Sequence, residues 1–410
     1  MRSEQLIQFD TYLLQAKQKA AAADWLETSY YLQNSPIFAS KSEFQQASRQ
    51  QQDLGIELAL ATLVQGEFQQ KWDIAKIFSI IGIDIVPPLI DLLESEAADI
   101  ETKWFAARAL GNFKEQKAII ALARLLKDAQ DEELIAIAAK SLVKIGNPAI
   151  EILVSLLDYP ESRLIAAKSL AHIRLSPALP ALVQLAQDPN PEIRHLAIEA
   201  LGSFHHQQVP PILIQALRDT HSSVRKEAVV ALGFCRDLCQ TLDLVNHLQP
   251  LLYDFNSEVC RQTAVSLARM NDTAAVETLA QALRSPDMPL DLKIHLVRAL
   301  AWSELALALD YLQDALKTET EVVLCKEIIV VLGRIRQSEL KPLAVHILLQ
   351  FWQTHQAEQI DSEPKKALAT ALGELKAIEG QTVLEQLAQD RVKIVRLYAL
   401  SSLKKLSSKH

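Results

Sequence analysis

Glycine is scarce in this chain, with 10 in 410 residues. β-rich folds and nucleotide-binding loops spend more, and neither GxGxxG nor GxxxxGK[ST] occurs. Only four cysteines and three methionines are present. The N-terminal stretch MRSEQLIQFDTYLLQAKQ lacks the continuous apolar core of a signal peptide. No apolar run reaches the ~18 residues that a membrane helix needs. A soluble, cytoplasmic, reducing setting without disulfides is therefore the expectation. Basic excess is also missing. The net charge of −8 argues against nucleic acid as a partner, although it leaves room for a local basic stripe. Neither HExxH nor GxSxG occurs, and the carboxylates show no paired-acid signal above that of solvated helix faces.

What the chain has is hydrophobic content of 49 % and an excess of Leu, Ala, Gln and Glu, which favours helix. It also has a repeat. AARALGNF, AIEALGSF and AVVALGFC share one signature, whose column runs Ser79, Gly111, Val143, Ala171, Gly202, Gly233, Ala268, Ala301, Gly333, Gly373 and Lys404. A period near 32 residues holds two short helices and two turns. In ALRDTHSSVRKEAVVALGF one helix ends near Asp219, and the next restarts after Ser222 or Ser223 as N-cap. Val224, Ala228, Ala231 and Leu232 then share one face. One helix pair cannot bury both its apolar faces, so the pairs must stack. The expected fold is all-α, a right-handed α-solenoid of about eleven helix pairs. The column glycines either admit a close neighbour or end the helix. Residues 1–55 lie outside the register and read as an N-terminal helical cap; 56–410 are the array. About eight extra residues in the longest step fall near QFWQTHQAEQIDSEPKK.

Two charged columns accompany the repeat. Fourteen positions before the glycine column stand Asp188, Asp219, Asp254, Asp287 and Asp390. Eight before it stand Lys71, Lys103, Arg163, Arg194, Arg225, Lys293, Lys365 and Arg396. They are expected to cap helices and to pair between rungs.

DPNPEIRHLAIEALG and DTHSSVRKEAVVALG resemble HEAT repeats of the phycobilisome-lyase-like kind found in cyanobacteria, over roughly residues 57–404. WFAARALGNF, VRKEAVVALGF and LYDFNSEVC further resemble a HEAT-repeat partner of an A-type iron–sulfur carrier. An uninterrupted array with no catalytic motif is expected to be a non-enzymatic scaffold or adaptor that binds protein partners on its concave face, and the resemblance adds the setting. Its setting would be phycobiliprotein handling or iron–sulfur cluster assembly, with the partner a phycobiliprotein or that carrier, and with no cofactor of its own. A bilin lyase or bilin-chaperone subunit is the enzymatic alternative, with a bilin as bound substrate, and no lyase catalytic residue maps onto the chain. HEAT-like deoxyhypusine hydroxylases hold iron through His-Glu pairs, and no His-Glu dipeptide occurs here.

Cys235, Cys239 and Cys260 lie within 26 residues, yet C-x3-C with a distant third cysteine is neither a zinc nor a ferredoxin spacing. Cys260 and Cys325 occupy the arginine column, two rungs apart. Buried structural thiols are the expectation; a cluster shared with an iron–sulfur partner is the alternative that the resemblance adds. One surface stands out. Seven and three positions before the column, opposite the buried face, stand Trp72 with Lys76 and Trp104 with Arg108, followed by Lys140 and Lys168. Either each Trp packs on its own i+4 cation or under the cap, or the stripe is a groove for an acidic protein segment or a bilin with two propionates.

Overall fold

The computed structural model describes residues 2–318, 320–355 and 360–407. It divides into two compact units, residues 1–204 and 205–410. Among the described residues there are helices and turns and no strand.

Unit 1 opens with α1 (Arg2–Ala21), α2 (Trp25–Gln33) and the short α3 (Lys41–Gln46). These rest on the first helix pair: α1 and α2 on α4 (Arg49–Gln65), and α2 and α3 on α5 (Phe68–Ile81). Gly55 of α4 makes room for Phe38 from the preceding turn, since a Cβ there would stand 2.9 Å from the ring. Four more pairs follow: α6 (Val86–Glu94) with α7 (Ile100–Leu110), α8 (Gln116–Asp128) with α9 (Glu132–Ile145), α10 (Ile150–Leu156) with α11 (Pro160–Ile173), and α12 (Leu179–Leu185) with α13 (Pro191–Leu201).

Unit 2 holds six pairs. They are α14 (Val209–Ala216) with α15 (Ser222–Leu232), α16 (Leu244–Leu248) with α17 (Ser257–Arg269), α18 (Thr273–Arg284) with α19 (Leu290–Trp302), α20 (Ala306–Thr318) with α21 (Val322–Gly333), α22 (Lys341–Thr354) with α23 (Ser362–Glu374), and α24 (Gln381–Leu387) with α25 (Lys393–Ser407). The longest repeat step contains the 14-residue α22. Residues 356–359, in the stretch expected to hold the insertion, lie outside the described residues.

Within each unit the second helices pack successively on one another, from α5 to α13 and from α15 to α25. The register positions the core. One residue before the column, Leu110, Leu142, Leu170 and Leu201 in unit 1 and Leu232, Leu267, Leu300, Leu332 and Leu372 in unit 2 are fully buried. Each contributes about 2 kcal/mol of apolar burial. The column glycines serve close approach, since Gly111 and Gly233 keep ordinary helical φ of −61° and −62°. A Cβ on Gly111 would stand 2.8 Å from Ser141 Cβ of the next rung, and one on Gly233 would stand 2.8 Å from Ser266 Cβ. The facing serines use the gap: Ser141 Oγ donates to Ala107 O and Ser266 Oγ to Val229 O, both at 2.9 Å.

The turns into four of the second helices are built the same way. Asp188, Asp219, Asp254 and Asp390 each accept the N–H two residues on, at 2.8 Å. One detail differs from expectation: α15 starts at Ser222, so His221 holds the N-cap position, without a side-chain cap. The Asp219 turn has already taken the His221 N–H, and Ser222 is the first helical residue.

In three rungs the basic column pairs with the aspartate of the next rung. Arg163 binds Asp188 at 2.6 Å, Arg225 binds Asp254 at 2.7 Å and Lys365 binds Asp390 at 2.8 Å. Lys71, 2 % exposed, reaches Glu101 at 2.8 Å and Thr102 Oγ1 at 3.2 Å. Lys103 faces no such acid, because Ala129 stands at the partner position.

Candidate partner-binding face

Lys71 pins α5 to the start of α7, where Asp99 caps the helix by accepting Thr102 N–H at 2.7 Å. That fixes the relative register of Trp72 and the α7 residues beside it. Trp72, Trp104 and Arg108 come together on this face. The Arg108 guanidinium lies 3.6 Å from the Trp72 ring centroid, across the rung boundary, and 5.6 Å from that of Trp104 on its own helix. The tighter contact is thus between rungs, whereas the i+4 spacing pointed to a contact within one helix.

Two phenylalanines complete the cluster, and neither stood out in the sequence. Phe105 is buried beneath both indoles, edge-on to Trp104 at 5.1 Å and to Trp72 at 6.4 Å. Phe68, 54 % exposed, stacks on Trp72 at 6.1 Å. It precedes Trp72 by one helical turn, which was a readable signal. Both indoles are half-buried. A cation held over half-buried ring faces contributes about 1 kcal/mol.

The remaining cations of the stripe behave differently. Lys76 is bound to Asp73 at 2.6 Å, and Lys168 to Glu192 at 2.9 Å. The Lys76 hydrogen bond is the largest cause that holds Asp73 below the usual carboxylate range. Lys140 is exposed and has no ion pair among the described residues. The strongest feature of this face is therefore the aromatic–arginine cluster, with Lys140 as a separate free charge.

The thiols fit burial better than ligation. Cys260 donates to Asp254 O at 3.1 Å, the carbonyl that its column equivalents also use: Arg163 takes Leu157 O, and Arg225 takes Asp219 O. Cys239 is buried against Met270 Sδ at 3.5 Å, and Cys235 faces Ala231 O at 3.6 Å. Burial first, then nearby carboxylates, pushes all three thiols above their ordinary pKa. Metal ligation and alkylation both need the thiolate, which these surroundings disfavour. Among the described residues no three His, Cys, Asp or Glu side chains are placed to hold a metal ion. Iodoacetamide at neutral pH is expected to label Cys239 and Cys260 at least about tenfold more slowly in the folded chain than in urea. Equal rates by mass spectrometry would contradict this assignment.

No described helix is long and apolar enough to cross a membrane. Among solved structures, Kap95p from a complex with RanGDP is 13 % identical, with 93 % of this chain and 58 % of that chain covered and a TM-score of 0.51. That likeness is one of fold. An engineered protein is 25 % identical over 79 % of this chain and 99 % of its own, with a TM-score of 0.39. Human deoxyhypusine hydroxylase is 20 % identical over 71 % of this chain and 96 % of its own, with a TM-score of 0.29. None of the curated proteins compared with the sequence matches it. The family model for HEAT repeats matches residues 86–171, 157–233 and 245–333, more than half of the chain. With its stacked helix pairs, the chain belongs to the HEAT-repeat family.

Proposed function

We propose that this chain is a non-enzymatic scaffold that docks a protein partner on the second-helix face of unit 1. The Trp72–Arg108–Trp104 cluster carries this reading. Two half-buried indoles and an arginine without an ion pair among the described residues, backed by Phe105, form an anchor of the kind that dominates interfaces. Lys140 extends its charge along the array, and Lys76 and Lys168 lie on the same face with their acids. The occupant is an acidic segment of a phycobiliprotein or of an A-type iron–sulfur carrier. That choice is supported by the resemblance of the repeat segments to the phycobilisome-lyase-like kind of array. Any cluster or bilin then belongs to the partner.

Purified chain is mixed with apo-phycobiliprotein and, separately, with the A-type carrier. One of them is expected to bind, and Trp104→Ala combined with Arg108→Glu is expected to abolish the binding while the melting temperature changes by only a few degrees. Binding that survives the double change in folded protein places the surface elsewhere. A large stability loss from Trp104→Ala alone assigns the indole to the core. Covalent bilin attachment to the apo-phycobiliprotein, faster with the chain than without it, would establish the lyase instead.

A further inference from the structure

One position after the glycine column, unit 2 carries a second pattern. Phe234 follows α15, Arg269 ends α17, Trp302 ends α19 and Arg334 follows α21. The four alternate ring and guanidinium over four consecutive rungs whose second helices pack on one another. Phe234 is 67 % exposed and Trp302 62 % exposed. Arg269 lies over the Phe234 ring at 4.7 Å. Trp302 and Arg334 line one cleft of 620 Å³, together with Arg298, Arg336 and one acid, Glu304. Arg298 is held by Glu327 at 2.6 Å, but Arg269, Arg334 and Arg336 have no ion pair among the described residues.

A cation at a helix C-terminus is favourable by itself, because it faces the unpaired carbonyls. That accounts for the arginines. It does not account for two large aromatic rings left exposed in the same row, at the same register position, on a chain whose net charge is −8. Exposed rings alternating with unpaired guanidiniums complement a ligand that alternates apolar groups with carboxylates.

We propose that this edge of unit 2 binds an extended acidic peptide segment of a partner protein, with apolar side chains on Phe234 and Trp302 and carboxylates on Arg269 and Arg334. Successive rungs stand about 10 Å apart, and a chain in the polyproline II conformation advances about 3.1 Å per residue with three residues per turn, so every third side chain faces the same way. Each rung therefore spans about three residues, so the segment reads apolar, then acidic about three residues on, then apolar, then acidic. Arg336 widens the acceptance for the last carboxylate. The edge shares no residue with the face of unit 1, so either surface can fail without the other.

The probe is a fluorescent synthetic peptide with leucine and glutamate alternating at every third position in a glycine–serine background. Fluorescence anisotropy with the full chain should show binding that weakens with added salt. Arg269→Glu with Arg334→Glu should weaken it at least about tenfold, and Trp302→Ala should weaken it by a similar factor. The neutral pair Arg269→Gln with Arg334→Gln serves if charge reversal disturbs folding, with an intact melting curve as the check. The same peptide with lysine for glutamate should not bind. A wild-type chain that ignores the peptide, or binding that none of these changes weakens, overturns the proposal. So does single-stranded oligothymidylate binding in place of the peptide, because rings and arginines would then be reading bases and phosphates.

Discussion

Gly333→Val is expected to cost unit 2 about 3 kcal/mol by overpacking a buried contact between rungs. A Cβ on Gly333 would stand 2.5 Å from Ala371 Cβ and 2.6 Å from Ala371 Cα. Part of that clash is with main chain, so no rotamer change can relieve it. The α21 and α23 axes would have to separate, and the fully buried Leu332 and Leu372 beside the contact would lose their packing. Gly333→Ala should show a smaller loss, and Ala371→Gly in the same chain should recover part of it. Urea unfolding of the four proteins measures this. A Gly333→Val chain as stable as the parent would mean that the rungs can slide apart freely, and the close-approach role of the column would be lost.

Arg225→Ala is expected to cost about 3 kcal/mol near neutral pH, because it leaves a largely buried carboxylate behind. Arg225 reaches both oxygens of Asp254 at 2.7 Å and also donates to Asp219 O at 2.8 Å. Burial alone would raise the Asp254 pKa. The Arg225 hydrogen bonds and charge, with the Asn256 N–H, outweigh it and hold the group below the usual range. A folded-state pKa below the unfolded one, near 4, gives stability that is present above that pH. It is lost as pH falls through the depressed value. In Arg225→Ala the burial dominates, so ionised Asp254 destabilises the fold, and acidification relieves this. The stability gap between the two proteins should therefore narrow from pH 7 toward pH 4. A gap that is constant over this range would show that Arg225 acts through its packing. Cys260 illustrates the same rule. It stands where an arginine would, and the acid that such an arginine would have met, Asp287, is exposed and needs no counter-charge.

The repeat period, the helix pairing and the buried column were legible in the sequence because each is a local pattern repeated many times. A leucine that recurs one position before the column has to face the same neighbour in every rung. The aspartate turn and its basic partner were legible for the same reason. The extent of the ion pairs on the unit 1 stripe was not. Lys76 and Lys168 find Asp73 and Glu192, acids that belong to no column read in the sequence.

Sequence by itself determined that this chain is an array of stacked helix pairs, where each column faces, and that the cysteines of the arginine column stand in for basic residues. Tertiary structure alone decided what the column glycines touch, that Arg108 stacks on the tryptophan of the neighbouring rung, and which rings and arginines of unit 2 stay uncovered. The physical reason is one of range. Periodicity records the average environment of a position along its own helix. A contact between rungs depends on side chains about 30 residues apart, whose meeting is set by the few ångströms of helix approach that packing permits.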